Sequence, residues 1–542
     1  MKKLFIAIFI LLLFLGCSQQ EKPPQKSKKI PIKKSINKPD YGDKIVVGSI
    51  GDISNLIPIL ATDSASHEIA GLIYNGLLKY NKNLKLVGDL AKSYSISKDN
   101  KVITFKLKKG IKWQDGVEFT ADDVIFTYNL IMDPKTPTAY RGDYELVKKV
   151  EKVNKYEVKV YYKKPFAPAL GSWTISILPA HLLKGKDILK TPLSKHPVGT
   201  GPFIFEKWEV GQVVKLKSNN NYFNGRPYLN GYIYKIIPDS ATMFLELKAG
   251  KIDLMGLTPI QFRRQTETKF FKENFKKFCY PVFSYTYLGF NLKDPLFKDR
   301  KVRQAIAYAI NKKEIVDGVL LGLGTVATGP YRPDMWYYNK NVKKYNYNPE
   351  YAKELLKEAN WVDSNHDGIL DKNGKKFEFT ILTNQGNNNR LKTAEIIQMR
   401  LKKVGIKVNI RVIEWASFIN EFIDKRRFQA VILGWSTGID PDQYDIWHSS
   451  KTGPKELNFI SYKNKEVDKL LEEGRLTFNI EERKKIYFKF QEILSEDEPY
   501  VFLYIPYSLV ILHKRFRNVK LAPAGIEYNL EKWWVPKFEQ RY

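Results

Sequence analysis

Residues 103–124 read Ile103-Thr104-Phe105-Lys106-Leu107-Lys108-Lys109-Gly110-Ile111-Lys112-Trp113-Gln114-Asp115-Gly116-Val117-Glu118-Phe119-Thr120-Ala121-Asp122-Asp123-Val124. Ile103, Phe105 and Leu107 alternate with Thr104, Lys106 and Lys108, the period-two pattern of a strand with one face in a core and the other in water. Thr120 then stands as an N-cap, with Asp122 and Asp123 in the first turn, and Val124, Phe126, Thr127 and Leu130 continue on one helical face. A half-exposed strand, a polar turn and a capped helix in so short a span predict an α/β chain.

The pattern spreads outward from there. Lys44-Ile45-Val46-Val47-Gly48-Ser49 reads as a buried strand, and two more strands are predicted between 147 and 161 around a turn at Asn154-Lys155. In the second half, Val302, Ala305, Ile306, Ala309 and Ile310 recur at i, i+3, i+4, i+7 and i+8, one face of a helix. Helices are also expected over 351–359, 394–404, 465–473 and 481–494, with strands over 377–382, 407–412 and 430–434. This is α/β alternation around a separate core, in a chain of 542 residues that is long enough for two. No internal repeat is visible.

The N-terminus sets the expected location. Met1-Lys2-Lys3 is a positive start, and 4–15 is an unbroken apolar run, the length of a signal-peptide core and short of the ~18–20 residues that span a bilayer. Phe14-Leu15-Gly16-Cys17 looks like a lipobox, with Phe14 and Leu15 where the usual pattern has Leu and a small residue. Cys17 is therefore the expected lipidation site, and ordinary cleavage with an incidental Cys the alternative. Residues 18–42, Lys-rich and broken by Pro, read as a flexible tether. Cys279, the other of two cysteines, then has no intrachain partner. The expected protein is extracytoplasmic and anchored by lipid, on the periplasmic side if an outer membrane is present.

The formal charge of +31 invites a nucleic-acid reading. The lysines are scattered rather than gathered on one helix or arm, and no zinc-finger, RRM-like or basic-zipper pattern accompanies them, so no nucleic-acid partner is expected. No enzymatic constellation emerges either. The six histidines (His67, His181, His196, His366, His448, His513) are dispersed, and GxSxG, HExxH and P-loop patterns are absent. Gly322-Leu323-Gly324 lacks a phosphate-binding context and reads as a loop. Asp363, Asn365, Asp367, Gly368 and Asp371 resemble the first half of a calcium loop, but Gly374 stands where a bidentate Glu is needed. A polar turn is the first reading, a structural calcium the alternative; no other cofactor is expected.

Several segments, in order, closely resemble the family-5 extracellular solute-binding proteins, the oligopeptide- and dipeptide-binding lipoproteins of ABC transporters. They begin with Leu90-Ala91-Lys92-Ser93-Tyr94, 104–113, Asp115-Gly116 and 119–124. They continue through Leu178-Pro179-Ala180-His181, Gly199-Thr200-Gly201-Pro202-Phe203, 219–227, 247–253, Phe290-Asn291, 302–306, Gly434-Trp435, Asp440-Pro441-Asp442 and 467–471. The resemblance implies a two-lobed periplasmic-binding-protein fold (type II, cluster C-like) with an interrupted first lobe. The lobes map to 43–283 plus 510–542 and to 284–509, with crossings near 285–287 and 505–507, and with Trp533-Trp534-Val535-Pro536 packing back on the first lobe.

It also implies function. A monomer captures a solute, most simply a peptide, between its lobes and hands it to a membrane permease driven by separate ATPase subunits. Nickel chelates and oligosaccharides are alternative cargoes, and a secreted hydrolase is the rival of another class. Segments that border the cleft in the family place Ser66 (within 64–67), Asn75 and Tyr140 on the first lobe. On the second they place Tyr287, Asn384, Trp415, Trp435, Thr437, Asp440 and Tyr444, with Asp442 and Trp447 beside them. One departure matters: Gly438 holds the place of an Asp that pairs with a peptide's α-amino group in relatives, and Asn75 stands where relatives commonly carry Glu. Asp440 substitutes as the anchor if its loop curls inward; if it does not, the amine anchor is missing and free di- or oligopeptides are less expected.

Overall fold

The computed structural model describes residues 38–542. The expected signal peptide (1–17), the expected lipidation site Cys17 and most of the expected tether lie outside the described residues. The end of the tether does not behave as a linker. Asp40 accepts a hydrogen bond from the Lys537 amide at 2.9 Å, the Tyr41 ring packs on Tyr228 at 5.0 Å, and the Gly42 amide donates to the Tyr228 carbonyl at 3.0 Å. Two aromatic rings and these bonds hold residues 40–42 on the body, so the tether stops before them.

The strand–turn–helix of 103–124 forms as its pattern requires. Val102–Leu107 joins a four-stranded antiparallel sheet in the order Ala91–Ile96, Val102–Leu107, Glu157–Tyr162, Val147–Asn154. The helix Ala121–Met132 starts on a capping box: the Asp122 amide donates to Thr120 Oγ1 (3.3 Å) and the Thr120 amide to Asp123 Oδ2 (2.9 Å). Asp123 is buried, and its other oxygen accepts the Ala180 amide at 3.0 Å. Thr120→Ala is expected to lower stability by about 1 kcal/mol, read as a shift of the urea midpoint at unchanged slope.

A twelve-stranded mixed sheet runs through the rest of the molecule. Ten strands follow the order Lys407–Ile413, Glu378–Asn384, Ala430–Ser436, Ser284–Phe290, Tyr500–His513, Leu254–Gly256, Lys44–Ser49, Gly231–Ile236, Val213–Ser218, Phe203–Glu209, and the other two, Phe275–Pro281 and Gly324–Val326, pair with Tyr500–His513 off that path. Tyr500–His513 binds its two halves together. Its first part pairs with Ser284–Phe290 and its second with Phe275–Pro281 and Leu254–Gly256. The buried side chains divide accordingly. Val501 and Leu503 join one second-lobe core, Tyr500 and Phe502 another, and Val510 and Leu512 the first-lobe core that also holds Ile45, Trp533 and Val535. Two lobes result, and the chain passes between them at 282–283 and again at 506–507, since Ile505 still lies in a second-lobe core and Tyr507 packs on the first lobe. The first passage lies ahead of 285–287, because Tyr285 and Tyr287 already sit in the second-lobe core. Arg515, buried and paired with Asp43 and Asp253, pins the returning C-terminal segment to the first strand.

The half calcium loop folds as a turn. The Asp363 carboxylate accepts the Asp367 and Gly368 amides (3.1 and 2.9 Å), Asn365 Oδ1 accepts the Asp367 amide (3.2 Å), and Asp371 accepts the Ser364 amide (2.9 Å). Asp367 pairs with Lys376. These oxygens satisfy the turn's own donors, and among the described residues no group of three or more His, Cys, Asp or Glu is set to hold a metal ion.

Candidate functional site

A cavity of about 700 Å³ lies between the lobes. The first lobe contributes Thr62, Asp63 and Ser64, the start of helix Ser64–Ile73, together with His67 and Tyr140. Asp63 caps that helix, accepting the Ser66 amide at 2.9 Å, and its carboxylate also receives Trp415 Nε1 from the second lobe at 3.3 Å. His67 Nε2 and the Tyr140 hydroxyl are 2.7 Å apart, and Tyr140 donates to the Ala61 carbonyl at 2.7 Å. Burial holds the His67 pKa below its ordinary value, against the pull of Asp63.

The second lobe contributes an open strand edge. Ala430–Ser436 pairs antiparallel with Ser284–Phe290, Tyr285 opposite Trp435 and Thr286 opposite Gly434. The Thr437 amide donates to the Phe283 carbonyl at 2.8 Å. Hydrogen-bonding direction alternates along an antiparallel strand, so Trp435 and Thr437 turn their amides toward Ser284–Phe290, and Gly434 and Ser436 turn theirs away. On that other side the parallel strand Glu378–Asn384 pairs only at Ala430 and Val431. The backbone of Gly434 and Ser436 therefore faces the cavity as an unpaired edge, beside the Trp435 ring.

Charged side chains complete the lining: Arg390 and Asp424, with Lys455 and Glu456 also on the wall. Arg390, in the first turn of helix Asn388–Lys402, donates from Nη1 to Asn384 Oδ1 at 2.8 Å. Its Nη2 lies over Gly434, 2.8 Å from where a Cβ would stand, so a side chain there would push the guanidinium off the strand edge. Among the described residues no carboxylate pairs with it; its electrostatic neighbours are the Tyr504 and Tyr287 hydroxyls. Asp424 lines the same cavity, and its carboxylate accepts no hydrogen bond from the described residues. Burial raises the Asp424 pKa, opposed by Lys455 and Arg426.

Of the residues singled out in the sequence, Tyr140, Trp415 and Trp435 line the cavity, and Asn384 stands one step behind it holding Arg390. The others are drawn elsewhere. Ser66 is buried and its Oγ accepts the Ser54 and Asn55 amides (2.8 and 3.2 Å), shaping the loop while Ser64 and His67 face the cavity. Asn75 donates to Asp89 (2.7 Å) and accepts from Thr200 (3.0 Å) in a pocket within the first lobe. Tyr287 is fully buried, stacked on Tyr500 at 3.8 Å, and Trp447 is core. Thr437 follows the strand, its amide bonded to the Phe283 carbonyl. Asp440 is no substitute anchor: Arg483 grips both its oxygens, at 2.6 and 2.8 Å. Arg390 and Asp424 were missed because neither has a local motif around it.

Asp442 and Tyr444 belong to a contact that closes one rim of the cleft. Arg475 donates to the first-lobe Gly142 carbonyl (2.8 Å) and to Asp442 (2.8 Å), lies 3.4 Å from Asp143, and stacks on Tyr444 at 3.8 Å. Lys451 reaches across to Glu145 at 2.6 Å. Asp445 presses against Gly142, leaving no room there for a Cβ. Burial at this seam pushes the Asp143 carboxyl up to about 6 despite Arg475, and raises Asp445 as well.

Two lobes joined by two chain passages, and closed over a cavity with an open strand edge and unpaired charges, define a hinge-closing binding protein. The comparisons give the family. Residues 85–456 match the bacterial extracellular solute-binding proteins, family 5 Middle, and the chain belongs to that family. It is 39% identical to the oligopeptide-binding protein AppA of Bacillus subtilis over 541 residues, covering 98% of both chains. The structure of that AppA in complex with a nonapeptide superposes with a TM-score of 0.88 at 38% identity, over 92% of this chain and 100% of that one. NikZ from Campylobacter jejuni in complex with Ni(L-His) follows at 0.82 and 31%, covering 91% and 99%. DppA from Helicobacter pylori with the peptide STSA gives 0.83 and 29%, covering 92% and 99%.

Proposed function

We propose that this protein captures peptides in the interlobe cavity and delivers them, closed, to an ABC permease with its ATPase subunits. The observation that carries this reading is the combination of an unpaired strand edge at Gly434 and Ser436 with Arg390 and Asp424 in one cavity. An extended peptide adds to such an edge through its main chain, which is indifferent to sequence. Its carboxylate suits Arg390 and its amine suits Asp424, each a charge-assisted pair. The nonapeptide carried by AppA supports the same reading. We place the protein outside the cytoplasmic membrane, held by lipid on Cys17; no helix among the described residues is long and apolar enough to cross a membrane.

A nickel chelate is the second reading, supported by the Ni(L-His) bound to NikZ and by His67 and Arg390 in this cavity. Native mass spectrometry of the protein expressed without residues 1–17, before and after denaturation, separates the two. Mixed peptides released on unfolding support the first reading. A single nickel-bearing mass replaces it with the second, and a sugar overturns both.

A further inference from the structure

The seam between the lobes holds another cavity, of about 410 Å³, which shares the Trp415 indole with the first. Because Trp415 Nε1 reaches Asp63 on the opposite lobe, its ring crosses the seam and stands between the two spaces. The walls of this second cavity are apolar and aromatic: Trp208, Val210 and Pro238 from the first lobe, Trp415 from the second. Val210 sits in the turn between strands Phe203–Glu209 and Val213–Ser218 and is 72% exposed, apolar surface without cover.

Two carboxylates complete the lining. Asp52, only 4% exposed, accepts Trp208 Nε1 at 3.0 Å and the Ile53 and Gly211 amides at 2.7 and 2.6 Å. Glu414 accepts the Ala416 and Ser417 amides at 2.8 and 2.9 Å, one on each oxygen, which leaves each oxygen acceptor capacity. Burial first, and the Glu414 charge in addition, raise the Asp52 pKa against its hydrogen bonds. Among the described residues that line this cavity none is Lys, Arg or His, in a chain whose net charge is +31. Two acids facing one apolar space without a cation is a local charge deficit that a ligand is placed to fill. A bare metal ion does not suit it, since no set of three metal-ligating side chains is present among the described residues.

A group with an aliphatic stem and a cationic head does suit it. The stem lies along Val210 and Pro238, and the head meets indole faces and carboxylate oxygens together. We propose that this cavity is a subsite for a basic side chain, Lys or Arg, of the ligand held in the main cavity. The proposal rests on the peptide reading above and adds to it a preference that the strand edge alone does not supply, because main-chain pairing ignores side chains.

Isothermal titration against alanine pentapeptides tests it, with one position at a time changed to lysine or to norleucine, which has the stem without the charge. Lysine at one position is expected to bind about tenfold more tightly than norleucine there, the strength of a partly desolvated cation–aromatic and carboxylate contact. Glu414→Gln, whose amide oxygen keeps one of the two cap bonds, and Val210→Lys, at an exposed turn, are each expected to bring that ratio to near one. Equal binding of lysine and norleucine at all positions, with pentaalanine still bound, overturns the subsite and leaves the peptide reading standing. A lysine preference that survives both variants also overturns it. If pentaalanine itself does not bind, the peptide reading falls and the subsite with it.

Discussion

Arg390→Leu is expected to weaken binding of a peptide with a free C-terminal carboxylate by about 100-fold, while the C-terminal amide of the same peptide binds both proteins alike. Truncating one side of a desolvated, charge-assisted pair costs about 2–5 kcal/mol, and 1.4 kcal/mol is tenfold in affinity. Arg390 fits that range because its guanidinium lies in the cavity on the Gly434 edge and is held from behind by Asn384. With no carboxylate of the described residues paired to it, its removal leaves no buried acid stranded, so the fold is expected to survive. Thermal unfolding without ligand checks that point. Equal losses for acid and amide would assign Arg390 to the architecture of the cavity instead of to ligand charge.

The second large effect is expected at the rim. Arg475→Gln should reduce peptide affinity by roughly 30-fold, since it strips the buried carboxylates at the seam of their main cation and costs about 2 kcal/mol or more in the closed form. The partners of Arg475 do not line the ligand cavity, so it acts by favouring closure. The readout specific to that role is the radius of gyration by X-ray scattering: with saturating ligand the variant should stay more open than the wild type. An unchanged closed fraction would remove Arg475 from closure.

The same seam makes closure depend on pH. Asp143, at about 6 in the closed form, faces Asp442, Asp440 and Asp445 as well as Arg475 and Lys451, with Glu145 engaged by Lys451. In an open form it is hydrated and returns to about 3.9. A carboxyl whose pKa rises on closing takes up a proton, so its support for closure is complete below about 4 and is lost as pH rises through about 6. Binding is expected to be tighter at pH 5.5 than at pH 8 by several-fold. Asp143→Asn should abolish that part of the profile. What remains belongs to Asp445, raised at the same seam and acting in the same sense, and to Asp424, whose protonation in acid acts in the opposite sense by releasing the ligand amine.

Much of the architecture was legible in local sequence. Thr120 with Asp123 marks the helix start because a cap needs only neighbours three residues apart, and the capping box is there. The helix Lys465–Leu476 and the strand Lys407–Ile413 follow from periodicity for the same reason, and their starts were placed correctly. Trp415 and Trp435 were found through family segments that are themselves local. Which side chains face the ligand was decided elsewhere. Asp440 and Asp442 were claimed by Arg483 and Arg475, each more than thirty residues on, and nothing in the Asp-Pro-Asp segment announces those partners. Tyr287 was lost to the core when Tyr500 took the register that stacks the two rings. Arg390 became a site residue because a parallel strand stops pairing at Val431 and leaves open the edge on which its guanidinium rests, and Asp424 because the fold sets it on the wall of the same cavity. Caps and amphipathic faces are contacts between near neighbours, and the sequence by itself determined those. The free or committed state of each charge depends on pairings between segments tens to hundreds of residues apart, and only the tertiary structure decided it.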